Sequence, residues 1–196
     1  MKKIYFFLLL LIVFFPLVTL AGSYEEEIKK LSLTISKNIE TTNKNTIAVV
    51  DFTDLQGNIT ELGRFIAEEL SANLVSVKKK FKVIDRLHLK TIIAEHKLST
   101  SWFLDPRAIE KFGKISGVDA IVTGTVTPFG DSVRLSVKVI TTDTAEVIAA
   151  ATSNIAKTKA IEELLAKIVK VEDKIEKDIN KSNWKEWQKF KCSKKK

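Results

Sequence analysis

At 196 residues the chain is long enough to bury one sizeable core, and its single cysteine, Cys192, excludes both an internal disulfide and a thiolate metal site. The formal charge of +8 is local: Lys2 and Lys3 supply part of it, and much of the rest lies in a C-terminal run of lysines faced only by Glu186.

In chain order, Lys2 and Lys3 precede an apolar run from Ile4 to Leu20 broken only by Pro16 and Thr19, and the small residues Ala21, Gly22 and Ser23 follow. This is the pattern of a signal peptide over residues 1–21, with cleavage placed after Ala21. The alternative is a retained anchor, since about 17 apolar residues is the lower limit for spanning a bilayer. Ser23 stands where a lipoprotein signal carries cysteine, so a lipid anchor is not expected. The mature chain is expected in the periplasm or at the outer-membrane periphery.

Residues 22–45 read as an N-terminal helix and linker. Ser23 and Glu26 have capping-box spacing, and Ile28, Leu31, Ile35 and Ile39 form one apolar stripe. Thr46 to Phe52 is a short, β-branched, almost continuously apolar run, the mark of a strand covered on both faces. A turn at Asp54, Gln56, Gly57 and Asn58 leads to a second helix capped by Thr60 and carrying Leu62, Phe65, Ile66, Leu70 and Leu74. Phe81 to Ile84 reads as a second strand, with Leu87, Leu89, Ile92 and Ile93 as the buried side of a helix that fades near His96, and the segment around Trp102 as loop. Asp105 and Pro106 start another helix, Ala108, Ile109, Phe112 and Ile115 are its buried side, and Gly117 ends it. Val118 to Val126 is a core strand; Val133, Leu135, Val137 and Val139 alternate with Arg134, Ser136 and Lys138 in a strand with one wet face; Glu146 to about Asn154 completes an antiparallel meander. A closing helix over 158–180 places Ile161, Leu164, Leu165, Ile168, Val171 and Ile175 on one side. The expected fold is α/β (α+β): a mixed sheet, part of it a three-strand meander, packed against helices over residues 46–157, with a basic aromatic tail at 181–196.

Several blocks carry a family resemblance: Ile47 to Phe52, Glu61 to Arg64, Phe81 to Arg86, Asp105 with Pro106, Gly117 to Thr125, and Thr144 to Ile148. Together they resemble the FlgO family of bacterial outer-membrane proteins, over about Thr46 to Lys157. The block order is shared more loosely with the curli secretion protein CsgG and with LpoB, a lipoprotein that activates a peptidoglycan synthase. The resemblance implies a domain of the CsgG N-terminal type in the cell envelope, a task in flagellar assembly or motility, and no catalytic residues. Synthase activation in the LpoB manner is the second reading. No amphipathic hairpin pair long enough for barrel strands is present, which argues against a secretion pore.

His88 and His96 are the two histidines, and eight residues of helix separate them too far along the axis to share a metal. No cofactor motif occurs. Asp51 and Asp54 flank Phe52 at the end of a core strand, where α/β sheets place ligand groups; they are weak ligand candidates and the only support for hydrolysis of an envelope polymer. The bland reading has Asp51 capping turn amides and Asp54 starting the loop. The helix start at Thr60 offers free N–H groups to an anion, without a glycine-rich cradle, and Gly124 marks close packing within a strand. In the tail, Trp184, Trp187 and Phe190 recur at three-residue spacing among Lys185, Lys189 and Lys191, which suits a tether to an anionic membrane surface; the alternative is that these aromatics fold back onto the domain. Export argues against nucleic acid, which would satisfy the same pattern. The expected partners are envelope proteins, and the oligomeric state stays open.

Overall fold

The computed structural model describes residues 23–77, 80–96, 98 and 105–169. The elements in chain order are α1 (Tyr24–Glu40), β1 (Thr46–Val49), α2 (Glu61–Ser76), β2 (Lys82–Val83), α3 (Arg86–Glu95), α4 (Pro106–Ser116), β3 (Ala120–Phe129), β4 (Ser132–Thr141), β5 (Val147–Ala156) and α5 (Lys159–Ala166). The five strands form one open sheet in the order β2-β1-β3-β4-β5. β1 runs parallel to β2 and β3, whereas β3, β4 and β5 form the antiparallel meander.

Side-chain oxygens set the helix starts. Ser23 accepts from the Glu26 amide, Thr60 from Gly63, Asp85 from Leu87 and His88, and Asp105 from Arg107, each satisfying a donor that the first turn leaves free. Gly117 closes α4 in the left-handed conformation, at φ 67°, that glycine adopts without a Cβ clash.

Two cores lie on opposite faces of the sheet. On one face α1, α2 and α5 bury Ile28, Ile35, Ile66, Leu70 and Ile161 against Ile47, Val122, Leu135 and Val137. On the other, α3 and α4 bury Leu89, Ile92, Ile109 and Phe112 against Ala48, Val50 and Ile121. The first core spans the sheet to β5; the second is centred on β1 and β3. Fully burying a leucine or isoleucine contributes about 1.5–3 kcal/mol, so the larger first core carries most of the stability.

Apart from shifts of one to three residues at the ends of β2, β3 and β5, the structure departs from the sequence expectations in four places. β1 ends at Val49, because Phe52 turns its N–H to the Gly63 carbonyl of α2 at 3.3 Å while Val50 and Thr53 still donate to β3. Leu87, expected inside, is exposed, and the guanidinium of Arg86 takes the buried place. Ile115 lies at the exposed rim of α4. The closing helix stops at Ala166 instead of running to 180, because Lys167 accepts from the Glu61 amide and Val169 donates to the Ile59 carbonyl, in a short antiparallel bridge that holds Ile168 beside Thr60. Val171 and Ile175 lie outside the described residues.

Candidate binding surface

Beyond Ile121, which lies under α3 and α4, the meander has one face that no helix covers among the described residues. Because side chains alternate across a strand, its residues fall into cross-strand rows: Thr123, Lys138 and Ala150; Thr125, Ser136 and Thr152; Thr127, Arg134 and Asn154. Arg134, Lys138, Ala150, Thr152 and Asn154 are exposed. The rows contain hydroxyls, an amide, a methyl and two cations, and no carboxylate. Arg134 donates to Asn154 Oδ1 at 3.1 Å and sits 5.2 Å from the centre of the exposed Phe129 ring, which holds the charge in place at one end of the surface.

Charge on the helices follows the same division. α3 and α4, on the side of the open rows, carry five basic and two acidic residues, whereas α1, α2 and α5 carry nine acidic and five basic ones. The meander therefore turns a cationic side outward and leaves the acidic side over the larger core.

β5 is the last strand of the sheet. Its backbone pairing is fixed by the alternation of an antiparallel ladder: Lys157 donates to the Asp131 carbonyl, so Ile155, Ser153, Ala151 and Ala149 spend their backbone groups on β4. The N–H and C=O of Ala150, Thr152 and Asn154 then point away from the sheet, and among the described residues nothing pairs with them. Beside this edge, α1 overhangs a groove of roughly 290 Å³ lined by Glu27, Lys30 and Thr34 and by residues 150–153. Glu27 bonds to Lys30 at 2.6 Å and receives the Ser153 hydroxyl, and these two contacts, the lysine first, hold its carboxyl below the ordinary range.

The sequence-predicted candidates have other engagements. Asp51 faces Arg86 in an ion pair, with Arg64 3.8 Å from its second oxygen; Arg86 also donates to the Val49 carbonyl at 3.1 Å and lies 2.8 Å from Glu68. Asp51 thus neutralises a buried guanidinium rather than capping turn amides. Asp54 accepts from the amides of Gln56 at 2.9 Å and Asn58 at 2.8 Å and from the Asn58 side chain at 2.9 Å. The two carboxylates are committed to separate local networks. The Thr60 hydroxyl occupies the Gly63 amide at 3.0 Å, which takes one donor from any anion there. At Gly124 an added Cβ would fall 2.6 Å from the Phe52 ring and from the Ser136 carbonyl, so this glycine serves close packing. Among the described residues no three His, Cys, Asp or Glu side chains are grouped to hold a metal, and no helix is long and apolar enough to cross a membrane. Trp184, Lys185, Trp187, Lys189, Phe190 and Lys191 lie outside the described residues, as does the leader.

A family model described as FlgO protein matches residues 28–160. Among solved structures, the LpoB C-terminal domain from Salmonella enterica superposes with a TM-score of 0.53 at 14% identity, covering 69% of this chain and 99% of that one. The corresponding Escherichia coli domain gives 0.53 at 12% identity with the same coverage, and a solution structure of Escherichia coli LpoB gives 0.52 at 13%, covering 67% and 68%. At these identities the likeness is one of fold. No curated protein matches the chain.

Proposed function

The chain belongs to the FlgO family, of non-catalytic binding proteins, and on that premise we propose that it acts in flagellar assembly or motility by holding an envelope partner on the open side of the β3-β4-β5 meander. The observation that carries this reading is the carboxylate-free face, uncovered among the described residues, with Arg134 and Lys138 at its two ends. A sheet face left bare in a domain that otherwise covers its sheet on both sides is a surface available for contact, and cations without neighbouring carboxylates select an acidic counterpart and steer its approach. Work in the periplasm or at the outer-membrane periphery, without a lipid at Ser23, completes the proposal; the tail aromatics Trp184, Trp187 and Phe190 serve as a surface tether.

The test is complementation of a deletion strain. Wild-type chain restores swimming and filament number. Arg134→Glu with Lys138→Glu, at equal abundance and equal thermal stability, restores neither. Full complementation by the double variant contradicts the proposed surface. Normal swimming in the deletion strain itself, with slowed incorporation of labelled cell-wall precursor, contradicts the flagellar assignment and favours synthase activation.

A further inference from the structure

We infer that the β5 edge takes up an extended segment of a partner protein as a sixth strand, with acidic side chains on the segment's outward face and small apolar ones on its inward face. The inference rests on the reading of the meander as the binding side and specifies the partner's chemistry.

Three observations converge on it. First, Ala150, Thr152 and Asn154 present outward N–H and C=O groups along a ten-residue strand without charge, proline or large side chain near its centre. Such an edge is a template for an incoming strand, and native edges are ordinarily blunted by lysine, proline or short length. β2, the opposite edge, is two residues long and offers no such template. Second, the groove under α1 lies beside this edge. In a paired segment, residues opposite Ala150, Thr152 and Asn154 share the open face, and the residues between them point under the helix. The groove is too small for a second covering helix, its lining includes Leu31, Ala150 and Ala151, and its Glu27 is already bonded to Lys30 and Ser153, so it suits small apolar side chains.

Third, charge selects the outward residues. An added strand lies two strand spacings, about 10 Å, from β4. Ala150, between Lys138 and the edge, is short, so a glutamate on the added strand reaches toward Lys138 across it, and one opposite Asn154 comes beside the guanidinium that Asn154 holds. Lysine at the same places meets like charge from both. A second copy of this chain fits less well as the occupant, because it would bring its own α1 over the same edge. A polysaccharide would not use the backbone donors in strand register.

Proline separates backbone pairing from the rest of the fold. The Thr152 N–H faces outward, so Thr152→Pro removes the central donor of the edge and leaves the β4 ladder intact, as edge prolines do. The probe is a synthetic ten-residue peptide alternating glutamate with valine, titrated into the full chain, with a lysine-valine peptide as comparison. We expect saturable binding of the glutamate peptide and slowed hydrogen exchange at the amides of Ala150, Thr152 and Asn154. At least tenfold weaker binding is expected in Thr152→Pro, and a reversed preference for the lysine peptide in the Arg134→Glu, Lys138→Glu double variant. The exchange measurement needs no variant, so a misfolded proline variant leaves it decisive. Unchanged affinity in folded Thr152→Pro, or no protection at those three amides, overturns the inference. So does a wild-type dimer in sedimentation that Thr152→Pro dissociates, which would assign the edge to a second copy, or binding of dextran sulfate in preference to the glutamate peptide. If Thr152→Pro swims normally while the charge double variant does not, the added strand fails and the open-face reading stands. If both variants swim normally, the open-face reading fails as well.

Discussion

Arg86 determines what Asp51 does, and the pair lies 35 residues apart in the chain. An aspartate at a strand end has the same local appearance whether it holds a ligand or neutralises a buried cation, so its role was not legible without the partner's position. Asp54 differs, because its acceptors are satisfied within four residues, and an Asx turn can be read from local spacing. The two residues should therefore respond differently to truncation. Asp51→Ala leaves a buried guanidinium with Glu68 and the Val49 carbonyl as remaining partners, and it is expected to cost near the low end of about 3–5 kcal/mol in urea unfolding. Asp54→Ala removes turn bonds at the surface and is expected to cost about 1 kcal/mol. Gly124→Ala forces the Phe52 ring and the β4 backbone apart, at about 1–3 kcal/mol in the same assay. An Asp51→Ala protein as stable as the wild type would contradict the role given to Arg86.

At the scale of elements, local chemistry marked the boundaries well. Ser23, Thr60, and Asp105 with Pro106 cap helix starts at the places their sequence spacing indicates, since such a cap satisfies amides within three residues, and Gly117 ends α4 by donating its N–H to the Gly113 carbonyl. The end of α5 was hidden because its cause is distant: the backbone after Ala166 bonds to residues 59 and 61, and apolar spacing through Ile168 fits a helix and a bridge alike. The wet face of β4 was legible from alternation, whereas the strand order that puts β5 at an edge was not. That order predicts opposite outcomes for adjacent prolines. Ala151→Pro breaks a ladder bond to β4 and should lower the unfolding free energy measured in urea by about 1–3 kcal/mol, while Thr152→Pro should stay within about 1 kcal/mol of wild type. The α1 contact with β5 adds a pH dependence. Glu27 has its carboxyl lowered in the folded chain, so the stabilisation it supplies is present above its ordinary value of 4.5 and is lost as pH falls through the lowered folded value. Glu27→Gln should flatten that part of the stability-pH curve, measured by thermal unfolding across the acid range.

For the whole molecule, the two cores differ in extent, and that difference creates the surface. The three helices over the larger core carry the acidic residues, the two over the smaller core are basic, and the sheet extends beyond the smaller core with Arg134 and Lys138 exposed. The resulting asymmetry is a property of the fold, because the basic pair α3 and α4 lies between α2 and α5 in the chain and only the topology puts the two groups of helices on opposite faces of the sheet. It predicts that contact with an acidic partner weakens with salt, as exposed charges are screened within about 8 Å at physiological ionic strength.

On the proposed reading, the open side of the meander holds the partner. Photo-crosslinking in living cells from single positions tests it most directly, with the reactive side chain at Lys138 and Thr152 on the meander and at Leu33 and Glu69 on the acidic helical side. One discrete adduct to an envelope protein is expected from the meander positions and none from the helical positions. Adducts from Leu33 and Glu69 with none from Lys138 and Thr152 would contradict it.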